Sequence, residues 1–188
     1  MPYCLAVTGA PASGKTTLSR RLGEMFGARV LDLNSVVCEN GLSEGYDALR
    51  QTEVVDARRL ALKVRDMRRG DTILDGLLSH LLEPTHVLVL RCSPTTLAER
   101  MVSRGYSREK ILENLEAEYA GVILGESLKL CRNVYEADNT VGIDAGAVRE
   151  WVGAGGVSVS WKDWTGEFVD VLASMGSSPT SGPTYRRP

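Results

Sequence analysis

Gly9-Ala10-Pro11-Ala12-Ser13-Gly14-Lys15-Thr16 decides how this chain folds. The stretch satisfies G-x-x-x-x-G-K-[S/T], and its flanks are what that pattern requires. Before it, Tyr3 to Thr8 is a short apolar run of the kind a buried strand carries. After it, Thr16 to Phe26 places Leu18, Leu22, Met25 and Phe26 near helical spacing and stops at Gly27. A turn that converges its backbone N–H groups on an anion needs glycine at its tight points, here Gly9 and Gly14, and the following helix aims its positive end at the same place. The expected ligand is a nucleoside triphosphate. Lys15 reaches the β- and γ-phosphates as a point charge, Thr16 offers a hydroxyl to Mg²⁺, and Thr17 adds a hydroxyl near the α-phosphate.

Working outward, Arg29–Leu33 reads as a second strand, and Asn34 to Gln51 as a loose polar insert opening with a short helix. Thr52–Met67 reads as an amphipathic helix ended by Gly70. Asp71–Asp75 and His86–Arg91 are two further buried strands. Pro94–Arg104 is a helix with Ser93 as N-cap and proline at its first position. Ser107–Leu130 is one long helix, Asn133–Asp138 a fifth strand, and Ala145–Val152 and Trp161–Ser174 two closing helices. Strands alternating with helices predict an α/β fold of the P-loop NTPase kind: three layers, a five-stranded parallel sheet, helices on both faces. Residues 1–175 are expected to form a single domain. Gly176–Pro188, rich in Ser, Pro, Gly and Thr, is expected to be a disordered tail.

Composition narrows the function classes. Among 188 residues, 22 Lys and Arg face 24 Asp and Glu, a net charge of -2, which excludes a strongly basic nucleic-acid domain as the global reading. The longest apolar runs fall far short of the roughly 20 residues a spanning helix needs. Met1-Pro2-Tyr3-Cys4 shows no signal-peptide pattern, so a cytoplasmic protein with no membrane association is expected. Cys4, Cys38, Cys92 and Cys131 are widely spaced, giving no support for a zinc knuckle or a redox dithiol.

Two further landmarks bear on chemistry. Thr72-Ile73-Leu74-Asp75-Gly76 is an apolar strand ending in a carboxylate, which makes Asp75 the candidate Mg²⁺ partner beside Thr16. Arg100 and Arg104 lie four apart on one helix face just before Gly105. Phosphoryl transfer spreads negative charge over the moving group, so these arginines are candidates to stabilise it, and a hinged basic segment can close over the nucleotide and exclude water.

These residues resemble one family closely. Val7–Thr17, Gly45-Tyr46-Asp47, Ile73–His80, Val89–Pro94 and Arg104-Gly105-Tyr106-Ser107, followed by Glu113-Asn114 and Glu116-Ala117-Glu118, are similar to the archaeal adenylate kinase-like proteins and their eukaryotic nuclear relatives, adenylate kinase isoenzyme six. The resemblance covers about residues 3 to 140. It implies a nucleotide core, a monophosphate-binding insert at about 34–55 and a short lid at about 103–113. The implied reaction is reversible transfer of the γ-phosphoryl of ATP to AMP or another nucleoside monophosphate with Mg²⁺. Carried onto this chain, Ala12, Gly14, Lys15, Thr16 and Thr17 contact ATP, and Arg104 closes over it. Relatives also hydrolyse ATP and are linked to maturation of the pre-ribosomal small subunit with small-subunit ribosomal protein eleven.

Three positions depart from the family pattern. Ala12 replaces a third loop glycine, and its methyl is expected to require a negative φ. Leu77 replaces a histidine associated with hydrolysis, leaving His80 as the nearby imidazole. Cys38 stands where ordinary adenylate kinases place an arginine on the AMP phosphate, and Arg50, Arg58 and Arg91 are the candidates to replace that charge. Two other readings share the phosphate loop: a nucleotide-switched ribosome-assembly ATPase with little kinase activity, and a kinase acting on a non-nucleotide small molecule.

Overall fold

The computed structural model describes residues 2–48, 52–160 and 162–176. Elements follow in the order β1 (Cys4–Gly9), α1 (Lys15–Phe26), β2 (Arg29–Asp32), α2 (Leu33–Glu39), β3 (Ser43–Asp47), β4 (Thr52–Val55), α3 (Ala57–Met67) and β5 (Thr72–Asp75). A 3-10 turn at Ser79–Leu81 leads to β6 (His86–Arg91), α4 (Pro94–Ser103), α5 (Arg108–Tyr119), α6 (Val122–Leu130), β7 (Val134–Asp138), α7 (Ala145–Ala154), β8 (Val157–Ser158) and α8 (Thr165–Gly176).

The main sheet runs β2-β5-β1-β6-β7-β8 with every pair parallel. It has six strands rather than the five expected. The sixth, Val157–Ser158, is two residues long and exposed, too short to leave a hydrophobic pattern in the sequence.

Residues along β1 alternate between the two faces. Leu5 and Val7 join Leu18 and Leu22 of α1 and Val148 and Trp151 of α7. Cys4 belongs to the cluster holding Leu60 and Val64 of α3, and Ala6 to the one holding Leu124 of α6. All six β1 residues are buried, as a central parallel strand covered on both faces requires. A third layer caps the carboxyl end of the sheet, where Leu97 and Met101 of α4, Ile111 and Leu115 of α5 and Phe168 and Val171 of α8 pack together with Ala10 and Ala12. Among the described residues, no helix is long and apolar enough to cross a membrane.

Three predicted elements differ from what forms. Thr52–Met67 is not one helix. Thr52–Val55 pairs antiparallel with Ser43–Asp47 as a separate two-stranded sheet, and α3 begins after Asp56, whose carboxylate accepts from Arg58 N at 2.7 Å and Arg59 N at 3.4 Å. Ser107–Leu130 breaks into α5 and α6 at Gly121, whose φ of +64° is left-handed. The last helix starts at Thr165, not Trp161, which lies outside the described residues; α8 runs to Gly176, and residues 177–188 of the expected tail also lie outside them.

The register brings the carboxyl ends of three strands level. Val7 of β1 pairs with Asp75 of β5, which pairs with Asp32 of β2. Ligands of open parallel sheets bind beyond such carboxyl ends, where neighbouring connections leave to opposite faces.

Candidate active site

The Gly9–Thr16 loop joins the end of β1 to the start of α1. At Gly9 φ is +142°, and an added Cβ would lie 2.4 Å from the Leu90 carbonyl oxygen. Gly14 caps α1 with φ +95°, and a Cβ there would come within 2.4 Å of Asn139 Nδ2. Gly9 therefore needs glycine for space as well as conformation, whereas Gly14 needs it chiefly for its positive φ, a Cβ there meeting only the end of the Asn139 side chain. Ala12 overturns the expectation of a negative φ, because it sits at +66°. The strain is about 1–2 kcal/mol, and it is offset in part by burying the methyl, which is 4% exposed in the cluster of α4, α5 and α8.

The Lys15 ammonium donates to the Gly9 carbonyl at 2.9 Å and to the Ala10 carbonyl at 2.8 Å. Burial pulls its pKa down to about 8, against the opposing attraction of Asp75. The charge is thus held at the lip of the loop, where an arriving phosphate can take it over.

Asp75 is buried at the end of β5, and its Oδ1 has no hydrogen-bond partner. Burial raises its pKa, outweighing the pull of the Thr16 hydroxyl and of Lys15 in the other direction. An unpartnered carboxylate oxygen in such a place is costly unless a cation or its water shell completes it. Asp75 and the exposed Thr16 hydroxyl are hard oxygen donors of the kind Mg²⁺ takes, with the remaining positions left to phosphates and water. Asp32 lines the same cleft, pairs in register with Asp75 and adds negative charge beside it, while its carboxylate caps α2 through Asn34 N at 3.1 Å and the Ser35 hydroxyl at 2.8 Å.

Three adjoining spaces surround this centre. A donor-side cleft of about 450 Å³ is lined by Gly14, Thr17, Arg21, Arg100, Asn139 and Ile143, among others. A transfer cleft of about 480 Å³ is lined by Lys15, Thr16, Asp75, Arg104, Tyr106 and Lys110. An apolar cavity of about 720 Å³ is lined by Val37, Cys38, Tyr46, Glu53, Leu60 and Leu78. Ala12 and Arg104 line both the first and the second space; Asn34, Thr52 and Leu77 line both the second and the third.

The sequence-derived candidates fall into place unevenly. Lys15, Thr16, Asp75 and Arg104 meet in the transfer cleft. Arg100 is turned toward the loop after β7 and holds it, its guanidinium donating to the Asn139 carbonyl at 3.3 Å and the Thr140 carbonyl at 2.9 Å. Arg91 is 5% exposed and bound inside the protein, with Nε 2.6 Å from Glu118 Oε1 and Nη1 2.8 Å from Glu136 Oε1. It does not reach the apolar cavity. Arg58 lines a separate groove against Leu81 and Glu83, and Arg50 lies outside the described residues. Leu77 borders both the cleft and the cavity, but His80 lines neither; its Nε2 meets Glu126 at 2.9 Å and its Nδ1 the Leu77 carbonyl at 3.1 Å.

Sequence reasoning missed Asn139 and Asp32. Asn139 Nδ2 donates to the Ser13 carbonyl at 2.7 Å, bracing the phosphate loop from 126 residues away. No local pattern announces such a contact. Asp32 did carry a signal, since Leu31-Asp32 ends a strand as Leu74-Asp75 does.

Comparison with known proteins agrees with this geometry. Residues 5–121 match the AAA domain family (AAA_18). Over 172 residues the chain is 37% identical to a Pyrococcus furiosus protein named "Putative adenylate kinase", covering 89% of this chain and 94% of that one. A Methanocaldococcus jannaschii protein of the same name is 36% identical over 173 residues, covering 89% and 96%. A shikimate kinase structure from Bacteroides thetaiotaomicron superposes with a TM-score of 0.56 at 13% identity, over 81% of this chain and 99% of that one, a likeness of fold alone. The chain belongs to the family of these archaeal adenylate kinase homologues, which are P-loop kinases.

Proposed function

We propose that the protein is a nucleoside monophosphate kinase that transfers the γ-phosphoryl of ATP to AMP in the presence of Mg²⁺. The observation that carries this reading is the adjacency of the three spaces through shared lining residues, with Arg104 exposed on the boundary between the donor cleft and the transfer cleft. A donor bound on the phosphate loop and an acceptor in the apolar cavity would meet end to end in front of Lys15, Thr16 and Asp75. The names of the archaeal relatives point the acceptor to AMP.

Each group has a defined role. The loop amides and Lys15 bind and orient the donor phosphates. Arg104 places a guanidinium where charge develops on the moving group. Asp75 and Thr16 would hold Mg²⁺, which would supply positive charge to offset part of the charge on the phosphates. Positioning and charge stabilisation carry most of the acceleration in this chemistry, so the site needs no dedicated general base.

Coupled assays with AMP, CMP, GMP and UMP at excess ATP test the assignment. Lys15→Ala and Arg104→Ala should each lower kcat by roughly 10²-fold or more, the scale of losing one transition-state charge contact. Asp75→Asn should shift the Mg²⁺ requirement to higher concentration. Wild-type turnover in Lys15→Ala or Arg104→Ala would defeat the reading. ATP hydrolysis with no monophosphate accepted would favour the nucleotide-switched assembly ATPase instead.

A further inference from the structure

We propose that Lys110 binds the phosphomonoester of the acceptor, a deepening that rests on the kinase reading above. The apolar cavity fits a nucleoside, yet among its described lining residues there is a carboxylate, Glu53, and no lysine or arginine. Among the described residues, the nearest positive charge for a dianionic phosphate entering with that nucleoside is in the adjoining transfer cleft, which shares Asn34, Thr52 and Leu77 with the cavity wall.

Among the described residues three cations line that cleft: Lys15, Arg104 and Lys110. Lys15 is held on the carbonyls of the phosphate loop and belongs to the donor. Arg104 also lines the donor cleft. Lys110 alone of the three lines the transfer cleft while belonging neither to the loop nor to the donor side. Three carboxylates, Asp32, Asp75 and Glu113, face these three cations. Removing Lys110 would leave excess negative charge where an anion has to enter.

Lys110 is also held in place to meet that phosphate. Its ammonium lies 4.7 Å from the centroid of the Tyr106 ring, itself part of the cleft wall, and the aromatic face helps to orient the cation. Its backbone is fixed at both ends, since Ser107 Oγ accepts from Lys110 N at 3.2 Å and Asn114 Nδ2 donates to the Lys110 carbonyl at 2.6 Å. An ammonium on a four-carbon stem can follow a phosphate that gains a second phosphoryl group, whereas a planar guanidinium fork prefers one geometry.

The test is calorimetric titration of wild-type protein, Lys110→Met, Lys110→Gln and Lys110→Arg with AMP and, separately, with Mg·ATP, alongside steady-state KM for AMP. Losing one charge-assisted contact to phosphate should weaken AMP binding by roughly 10- to 100-fold. Mg·ATP affinity should stay within about threefold, and Lys110→Arg, which keeps the charge but not the geometry, should recover part of the AMP loss. Unchanged AMP affinity in both Lys110→Met and Lys110→Gln, or equal weakening of both ligands, overturns the proposal. So does an AMP-specific loss in Arg50→Ala with none at Lys110. Wild-type protein that binds no monophosphate overturns the kinase reading itself, whereas wild-type binding that survives at Lys110→Met overturns only the role of this lysine.

Discussion

Replacing Arg91 by methionine should destabilise the protein severely, in a way that acid relieves. The guanidinium is 5% exposed and meets Glu118 at 2.6 Å, Glu136 at 2.8 Å and the Glu118 carbonyl at 2.8 Å. Glu118 also accepts from Cys92 N at 3.3 Å, and Glu136 from Ser160 N at 2.7 Å, so the cluster ties β6, α5, β7 and the segment after β8 together. Without Arg91 two carboxylates at 6% and 4% exposure lose their counter-charge. Breaking a buried pair in this manner costs about 3–5 kcal/mol. For a chain of this length that is a fall in Tm of roughly 6–20 °C. The pH dependence has a fixed sign. Burial already raises the Glu118 pKa with Arg91 in place, and removing the cation raises it further. A carboxyl whose folded pKa lies above its unfolded value of about 4.3 contributes stability at low pH and loses it as pH rises through the folded value. The deficit of Arg91→Met relative to wild type should therefore be largest near pH 8 and shrink toward pH 5.5. Urea unfolding at the two pH values measures it. A loss below about 1 kcal/mol by that linkage scale, or a deficit independent of pH, refutes the argument. A raised KM for AMP with stability unchanged would instead return Arg91 to the acceptor phosphate.

Two other outcomes follow from the phosphate loop. The Lys15 pKa of about 8 in the nucleotide-free site means that binding phosphates above that pH requires proton uptake, so the Kd for Mg·ATP should rise above pH 8, approaching about tenfold per unit. Calorimetry in buffers of different ionisation heat would show the uptake; Lys15→Arg should flatten the slope, and a flat wild-type profile from pH 7.5 to 9.5 would contradict the assignment. At Ala12, glycine should change stability by no more than about 1 kcal/mol, because relief of the φ strain is offset by the lost methyl and the greater freedom of the unfolded chain. Valine there should cost about 2 kcal/mol or more through its branched side chain at positive φ and overpacking, and a valine variant with wild-type urea resistance would refute this.

What could be read from the sequence was local. The phosphate loop, the strand before it and the helix after it state their geometry within a few residues. Asp75 was legible because an apolar strand ending in a carboxylate is a short-range pattern. The hairpin was not legible, since Thr52–Val55 is apolar enough to merge with the helical spacing of Leu60 and Val64, and only Asp56 as a cap separates them. The break at Gly121 did carry a signal in the glycine itself, a poor helix former, but helical patterning on both sides of it masked the stop. Asn139 on Ser13 and the burial of Arg91 depend on tertiary placement across sequence separations that periodicity does not reach.

The hairpin of β3 and β4 stands outside the main ladder, pairing strand to strand with itself. It nevertheless furnishes Ser43, Tyr46, Thr52, Glu53 and Val55 to the cavity wall. On the kinase reading proposed above, acceptor choice is written in part on a detachable cassette. Grafting a different hairpin between Leu42 and Asp56 would change one wall of the pocket while the six parallel strands and the phosphate loop keep their bonds, a route by which one scaffold could diversify across small-molecule acceptors without being refolded.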